Sequence, residues 1–415
     1  MKFKKILLFL SAVGPGLFLI GYNIGTGSVT TMAKSGAEHG MSLFWALVLS
    51  CIFTYILMVA YGQVTLVTGN TALFNFKSNF RFGRPLAIYI MIALIIGEIL
   101  ALMGIMGIVA DLLQEGSRLL FGGTGFSTLW ITVVLVIGLY WLFWHGRYQL
   151  FEKVLTVFVI LMGICFIIVF FMVKPSISVI VSGLVPRIPQ TPGAFGLVAA
   201  MAGTTCSAAV FVIRSIVVTE KGWTIKNLKG EKRDALVSAS MMLFLSGVIM
   251  AVSAGTLHIM GLKLDNTIEM IELFQPIGGK FAAFILILGV TGAGLSTVFP
   301  IILIAPWLIS DYTGRPRDIH SPLFRILGLA GILFCFGMQF LEQRPPALMI
   351  FSQAFQACIL PAVVIPILIL INRKNLMNEH TADKKMNVGL AAVVLFSLMT
   401  TYLAIMELLQ QVGIL

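Results

Sequence analysis

Two short polar stretches interrupt otherwise apolar sequence in this chain: Asn23-Ile24-Gly25-Thr26-Gly27-Ser28 and Gly203-Thr204-Thr205-Cys206-Ser207. Glycines and hydroxyls in the middle of a hydrophobic run open the helix there and leave backbone N–H and C=O groups without helical partners. In hydrocarbon each such group costs several kcal/mol, roughly, unless it lines a wet cavity or holds a ligand. The helix that resumes near Ser28, and again near Ser207, offers free N–H donors and about half a unit of positive partial charge. Neither break contains an acidic residue. Helix starts ringed by hydroxyls, with no carboxylate among them, suit anions. Hard cations take carboxylate oxygens and softer ones imidazole or sulfur. Only Cys206 offers a soft ligand, so no metal-ligand set is expected. The candidate substrate contacts are Asn23, Gly25, Thr26, Gly27, Ser28, Gly203, Thr204, Thr205, Cys206 and Ser207. The structural alternative for the glycines is close helix packing.

Three charges lie in or near apolar segments: Glu98 in LIIGEILALMG, Arg214 in FVIRSIV, and Lys34. Ionisable groups at membrane depth are functional candidates for coupling or gating. Arg214 stands seven residues past Ser207, about 10 Å along a helix, too far for easy contact with a small ion at the break. A Glu98–Arg214 ion pair is the structural reading, and substrate contact or gating the functional one. Lys34 either draws anions to an outer vestibule or snorkels to the interface. Gln353 and Gln356 share one helical face; they line the same cavity or bond a neighbouring backbone.

The elements that must position these residues are membrane spans. Of the 415 residues, 59% are apolar and 11% charged, with a mean hydropathy of +1.01, so lipid is the solvent for most of the chain. Eleven apolar segments approach the length of a span: 6–38 (broken), 42–68, 85–112, 127–145, 150–173, 194–219 (broken), 234–260, 278–310, 321–340, 347–371 and 387–409. The basic opening MKFKKILLFLSAVGPG reads as part of the first span rather than a cleaved leader. Alternate connections hold 20 Lys and Arg on one side and 7 on the other. The N-terminus is therefore expected in the cytoplasm and the C-terminus outside. The net charge of +11 reflects this bias; no basic stripe interleaves with aromatics, so nucleic acid is not a partner. The five cysteines lie in apolar segments without metal spacing; four read as small core residues, and Cys206 stands apart in its break. The two breaks are five spans apart, and an odd number inverts the second unit relative to the first, the arrangement of transporters with a midplane site. The expected units are 1–190, 191–372 and an additional helix within 373–415.

Three stretches resemble the Nramp family of proton-coupled divalent metal transporters: Gly14-Pro15-Gly16, GLSTVFP at 294–300, and SQAFQACILPAVVIPILILINRK at 352–374. The resemblance runs over nearly the whole chain. It implies an all-α, leucine-transporter-type fold of eleven helices in two inverted five-helix repeats, with helices one and six broken. The departures fall on the family's chemistry. Its first break normally reads Asp-Pro-Gly-Asn, where this chain has Gly25-Thr26-Gly27-Ser28. Its second carries Met-Pro-His, where this chain has Ser207-Ala208-Ala209. A histidine linked in the family to proton movement falls on Arg214. Of an Asp and a Glu three residues apart, Ile95 takes the first place and Glu98 keeps the second.

A scaffold that has lost its acid but kept two helix starts is expected to favour a negative substrate. The expectation is a secondary transporter importing a small organic anion, such as citrate or another di- or tricarboxylate, alone or with a divalent cation as its companion. The alternative is a divalent metal cation transporter, proton-coupled or uncoupled, with an altered site. A substrate-gated channel or sensor is a further class. No HExxH, P-loop, nucleotide fingerprint or nucleophile–base pair is present, so an enzyme is not expected. No cofactor is expected, and a monomer in a bacterial cytoplasmic membrane is.

Overall fold

A computed structural model describes residues 25–145, 148–341 and 343–411. These residues are helical with irregular connections. The first half contains α1 (Thr26–His39), α2 (Phe44–Thr68), the short α3 (Ala72–Asn79), α4 (Gly83–Phe121), α5 (Thr128–His145), α6 (Tyr148–Val173) and the short α7 (Ile177–Ser182). The second half contains α8 (Ala194–Thr205), α9 (Ala208–Glu220), α10 (Leu228–Gly255), α11 (Gly279–Thr313), α12 (Pro322–Leu333) and α13 (Pro345–Ile371). The short α14 (Lys374–Met377) and the long α15 (Lys384–Gln411) follow. Nine helical stretches among the described residues are long and apolar enough to cross a membrane, one of them α8 and α9 taken together, and Val159–Val173 adds a shorter apolar one. Of the eleven expected segments, the start of the first lies outside the described residues, and so does Asn23.

Local chemistry sets the helix ends. Thr71 caps α3 by accepting from the Phe74 N–H, and Ser321 caps α12 with Pro322 at its first position. Gly69 and Gly314 close α2 and α11 in the left-handed region that glycine tolerates. Segment nine is α12 continued by a 3₁₀ stretch, Phe334–Gln339.

The site sits where α1, α4, α8, α11 and α13 meet at the start of α9. α4 packs on α13 and α11, α8 packs on α13, and α1 packs on α10. Small residues permit the closest approaches: a Cβ on Gly36 would strike the Met250 carbonyl of α10, and one on Gly203 would strike the Gln353 carbonyl of α13. Gly203 is therefore a packing glycine.

Charges bracket the packed helices at both ends. Lys34 donates to Asp265 at 2.8 Å and to the Leu264 carbonyl at 3.0 Å, and pairs with Glu38 at 2.8 Å. It thus clasps α1 to the connection after α10, and its charge is spoken for by carboxylates rather than offered to anions. Near the opposite end Arg214, fully buried, donates to Glu231 at 2.7 Å and Asp234 at 2.9 Å. The expected Glu98–Arg214 pair does not form. Glu231 and Asp234, three apart on one face of α10, take the guanidinium instead.

Two outcomes follow from this packing. Gly203→Ala forces α8 from α13 and should cost about 1–3 kcal/mol, read as a lowered unfolding temperature in detergent. Arg214→Met strands two buried carboxylates and should cost about 3–5 kcal/mol; Arg214→Met combined with Glu231→Gln and Asp234→Asn should recover part of that loss. The clasp responds differently to pH. The hydrogen bond from Lys34 is the main cause holding Asp265 below the usual carboxylate range. A depressed carboxyl stabilises the fold above its unfolded pKa, about 3.9, and loses that contribution as pH falls through the lowered value. Asp265→Asn should therefore cost the same stability at every pH from about 5 to 8.

Candidate functional site

The second break is short. α8 ends at Thr205, Cys206 adopts φ −102° and ψ 48°, and Ser207 is extended at φ −67° and ψ 128° before α9 begins. The carbonyl freed on Thr205 accepts from the Thr54 hydroxyl of α2 at 2.9 Å. Ser207 makes no capping bond to its own helix. Its hydroxyl donates instead to Gln356 Oε1 at 2.7 Å, and Gln356 Nε2 donates to Glu98 Oε1 at 3.1 Å. A chain of three buried side chains thus runs from the start of α9, through α13, to the middle of α4.

The first break brings Gly25, extended, to the start of α1. A Cβ on Gly25 would lie 2.5 Å from Thr297 Oγ1 of α11. Thr297 cannot swing away freely, because that oxygen donates to the Ala293 carbonyl at 2.7 Å. Any side chain at position 25, an aspartate included, would need the Thr297 side chain to shift. A Cβ on Gly27 would meet Met349 Cε at 2.5 Å and Gln353 Nε2 at 2.9 Å. The breaks touch each other: Ser28 Oγ and Thr204 Oγ1 lie 3.0 Å apart.

Between the breaks lies a cavity of about 30 Å³, room for one or two water-sized occupants, roughly. The structure brings eight of the candidates to it: Gly25, Gly27, Ser28, Glu98, Thr204, Ser207, Gln353 and Gln356. Four from the breaks do not reach it. Thr26 donates to the Val290 carbonyl at 3.4 Å, Gly203 packs, Thr205 gives its carbonyl to Thr54, and Cys206 is buried in the apolar core. Cys206 is thus a core residue like the other buried cysteines. Arg214 and Lys34 lie outside the lining. Thr297, Met349 and the apolar Ala101, Ile105 and Ile301 complete it, and none of these five is singled out in the sequence. A hydroxyl in the apolar run around GLSTVFP could have flagged Thr297; nothing in the sequence distinguishes Met349 from ordinary core.

The electrostatic expectation changes with this geometry. The breaks themselves hold no acid, but α4 carries the Glu98 carboxylate into the space between them. Among the described residues that line the cavity it is the one charged side chain. In a low-dielectric enclosure such a charge governs which ion can enter. The premise of an acid-free, electropositive pocket therefore fails, and with it the main support for an anion site.

Known proteins agree on the family. The model described as natural resistance-associated macrophage protein-like, Nramp, matches residues 16–407. A protein of Deinococcus radiodurans named divalent metal cation transporter MntH is 22% identical over 401 residues, covering 93% of this chain and 86% of that protein. One of the same name from Pectobacterium carotovorum is 24% identical over 403 residues, covering 95% and 94%. A crystal structure of a mutant Eremococcus coleocola manganese transporter superposes with a TM-score of 0.73 at 16% identity, over 97% of this chain and 87% of the other. MhsT in complex with L-phenylalanine superposes at 0.62 with 13% identity, over 95% and 98%; these structures share the fold of broken-helix transporters. The chain is an integral membrane protein of the Nramp family, built for transport rather than catalysis.

Proposed function

We propose that this protein moves a small, hard divalent cation across a bacterial cytoplasmic membrane by alternating access. One observation carries the reading: a single carboxylate, Glu98, faces a cavity whose other polar side chains are hydroxyls and amides, set among glycines, one thioether and the apolar Ala101, Ile105 and Ile301, with no cationic side chain among the described lining residues. Carboxylate, hydroxyl and amide oxygens suit Mg²⁺ or Mn²⁺, which keep part of their water. The names of the Deinococcus and Pectobacterium relatives and of the Eremococcus transporter support the same class of cargo.

The contacts would come from Glu98, Ser28, Thr204, Ser207, Gln353 and Gln356. Residues 1–190 and 191–372 would act as the two inverted repeats that rock about these breaks, with 373–415 as an added helix. Lys34 would tie the outer side and Arg214 brace the inner. The distribution of Lys and Arg supports an N-terminus inside and a C-terminus outside.

The organic-anion reading keeps one feature in its favour. α1 and α9 both begin without a side-chain cap, so their N–H groups could hold the oxygens of a metal–citrate complex. A cavity of about 30 Å³ is too small for a tricarboxylate in this conformation, which weighs against it.

Proteoliposomes containing the purified protein should accumulate Mn²⁺ in the absence of any organic acid. Uptake that requires citrate, with labelled citrate entering alongside, would overturn the reading. Glu98→Gln should lower Mn²⁺ uptake by at least about tenfold, because the one charge facing the ion is gone.

A further inference from the structure

A second cavity, of about 200 Å³, shares Glu98 and Ile301 with the one between the breaks. It is a wedge between α4, α11 and α12, reaching Phe334 where the 3₁₀ stretch begins. Among the described residues that line it, Glu98 supplies the one polar side chain. The other walls are aliphatic, apart from Gly331 and the Phe334 ring. Ala330 and Phe334 are exposed, and they stand on a stretch, Pro322–Gln339, that is long and apolar enough to cross the membrane. The wedge therefore opens sideways to hydrocarbon rather than to water.

Such a space takes hydrocarbon readily: a dry apolar cavity of about 150 Å³ binds a molecule the size of benzene. Water gains little there, because it needs several polar partners. A carboxylate in the wall changes what kind of hydrocarbon fits. Glu98 is buried, at 3% exposure, and in low dielectric an opposite charge beside it is strongly favoured. It accepts from Gln356 at 3.1 Å, and a carboxylate has lone pairs for further donors. The backbone adds another acceptor. Pro306, inside α11, has no N–H to give to the carbonyl of Ile302, a residue that borders the wedge. The complement of these walls is a molecule with N–H donors and positive charge at one end and a short hydrocarbon body at the other.

We infer that the wedge is a binding site for a small hydrophobic ammonium ion, with its charged end on Glu98 and a body of about six carbons along Ile99, Leu102 and Leu327. The tail leads out between α4 and α12 toward lipid. The carboxylate that holds the head is the one that faces the cavity between the breaks, so the ammonium blocks a metal ion from the side, without entering that cavity. This competition rests on the cation reading above; the binding itself does not. A neutral molecule of the same shape fills the wedge but lacks the charge-assisted bond to Glu98.

The test is calorimetric binding of hexylammonium to the full-length protein in nanodiscs, with hexanol as the neutral control. Hexylammonium should bind saturably and at least about tenfold more tightly than hexanol, the worth of a hydrogen bond to a charged group. Glu98→Gln should bring the two within about twofold of each other. Gly331 offers a variant outside the metal's contacts. A Cβ there would lie 3.6 Å from Ile302, an ordinary contact, so α12 should accept Gly331→Leu, whose longer chain occupies the wedge. That change should weaken hexylammonium by at least about tenfold and leave Mn²⁺ uptake within about twofold. In proteoliposomes hexylammonium should raise the KM for Mn²⁺ at unchanged maximal rate, and Gly331→Leu should remove the effect. Hexylammonium that binds no more tightly than hexanol, or that ignores Glu98→Gln, overturns the contact with the carboxylate. Binding that ignores Gly331→Leu lies elsewhere and overturns the site. Binding that meets every mark in a protein that moves no Mn²⁺ keeps the site and removes the cation reading. Should Gly331→Leu fail to fold, Ala330→Phe at the mouth of the wedge fills the same space and is read in the same way.

Discussion

The need to satisfy an interrupted helix inside a bilayer governs the arrangement of this molecule. Opened backbone in hydrocarbon survives only where protein or trapped water supplies partners. Here α2 supplies Thr54 to the carbonyl of Thr205, and α13 supplies Gln356 to the hydroxyl of Ser207. Gln356 in turn leans on Glu98. The acid that these breaks lack in sequence is thus delivered from the middle of a third helix. Its charge is felt strongly because the groups around it are buried and the local dielectric is low. Replace that carboxylate with an apolar side chain and the same two helix starts would favour the opposite sign of ligand.

Much of the architecture is legible in the sequence because lipid imposes a simple demand on each span. The segment read as 42–68 is α2, Phe44–Thr68; the one read as 347–371 is α13, Pro345–Ile371; and the break at Cys206–Ser207 falls where the glycine and hydroxyls placed it. Depth along a helix follows from counting residues. Direction around its axis does not, and for that reason the expectation of a cavity without an acid differs from the structure, where Glu98 lines it. Glu98 was placed at the right depth in α4, but an α4 apolar on every side gives no sign of which face it presents to the breaks.

The partners of Arg214 were hidden for a different reason. Glu231 and Asp234 stand in TEKGWTIKNLKGEKRD, a stretch whose charge reads as a solvated connection. The helix α10 begins inside it, and three-residue spacing turns both acids inward. Such a buried trio contributes little net stability compared with well-packed apolar side chains, but breaking it is costly. Together with the Lys34–Asp265 clasp it leaves fixed ionic ties at both ends of the helices that hold the breaks, and a cavity between them whose own contacts are hydrogen bonds. The fixed ionic ties lie away from the cavity, and the exchangeable hydrogen bonds lie around it.

The close approach of Gly25 to Thr297 also constrains how this site could have diverged. An acidic side chain at position 25 and a threonine at position 297 compete for one volume, so neither replacement is tolerated in the presence of the other's larger partner. Placing an acid on the first break of this chain therefore calls for a change at both positions, and shrinking residue 297 first avoids an intermediate in which two side chains claim one volume.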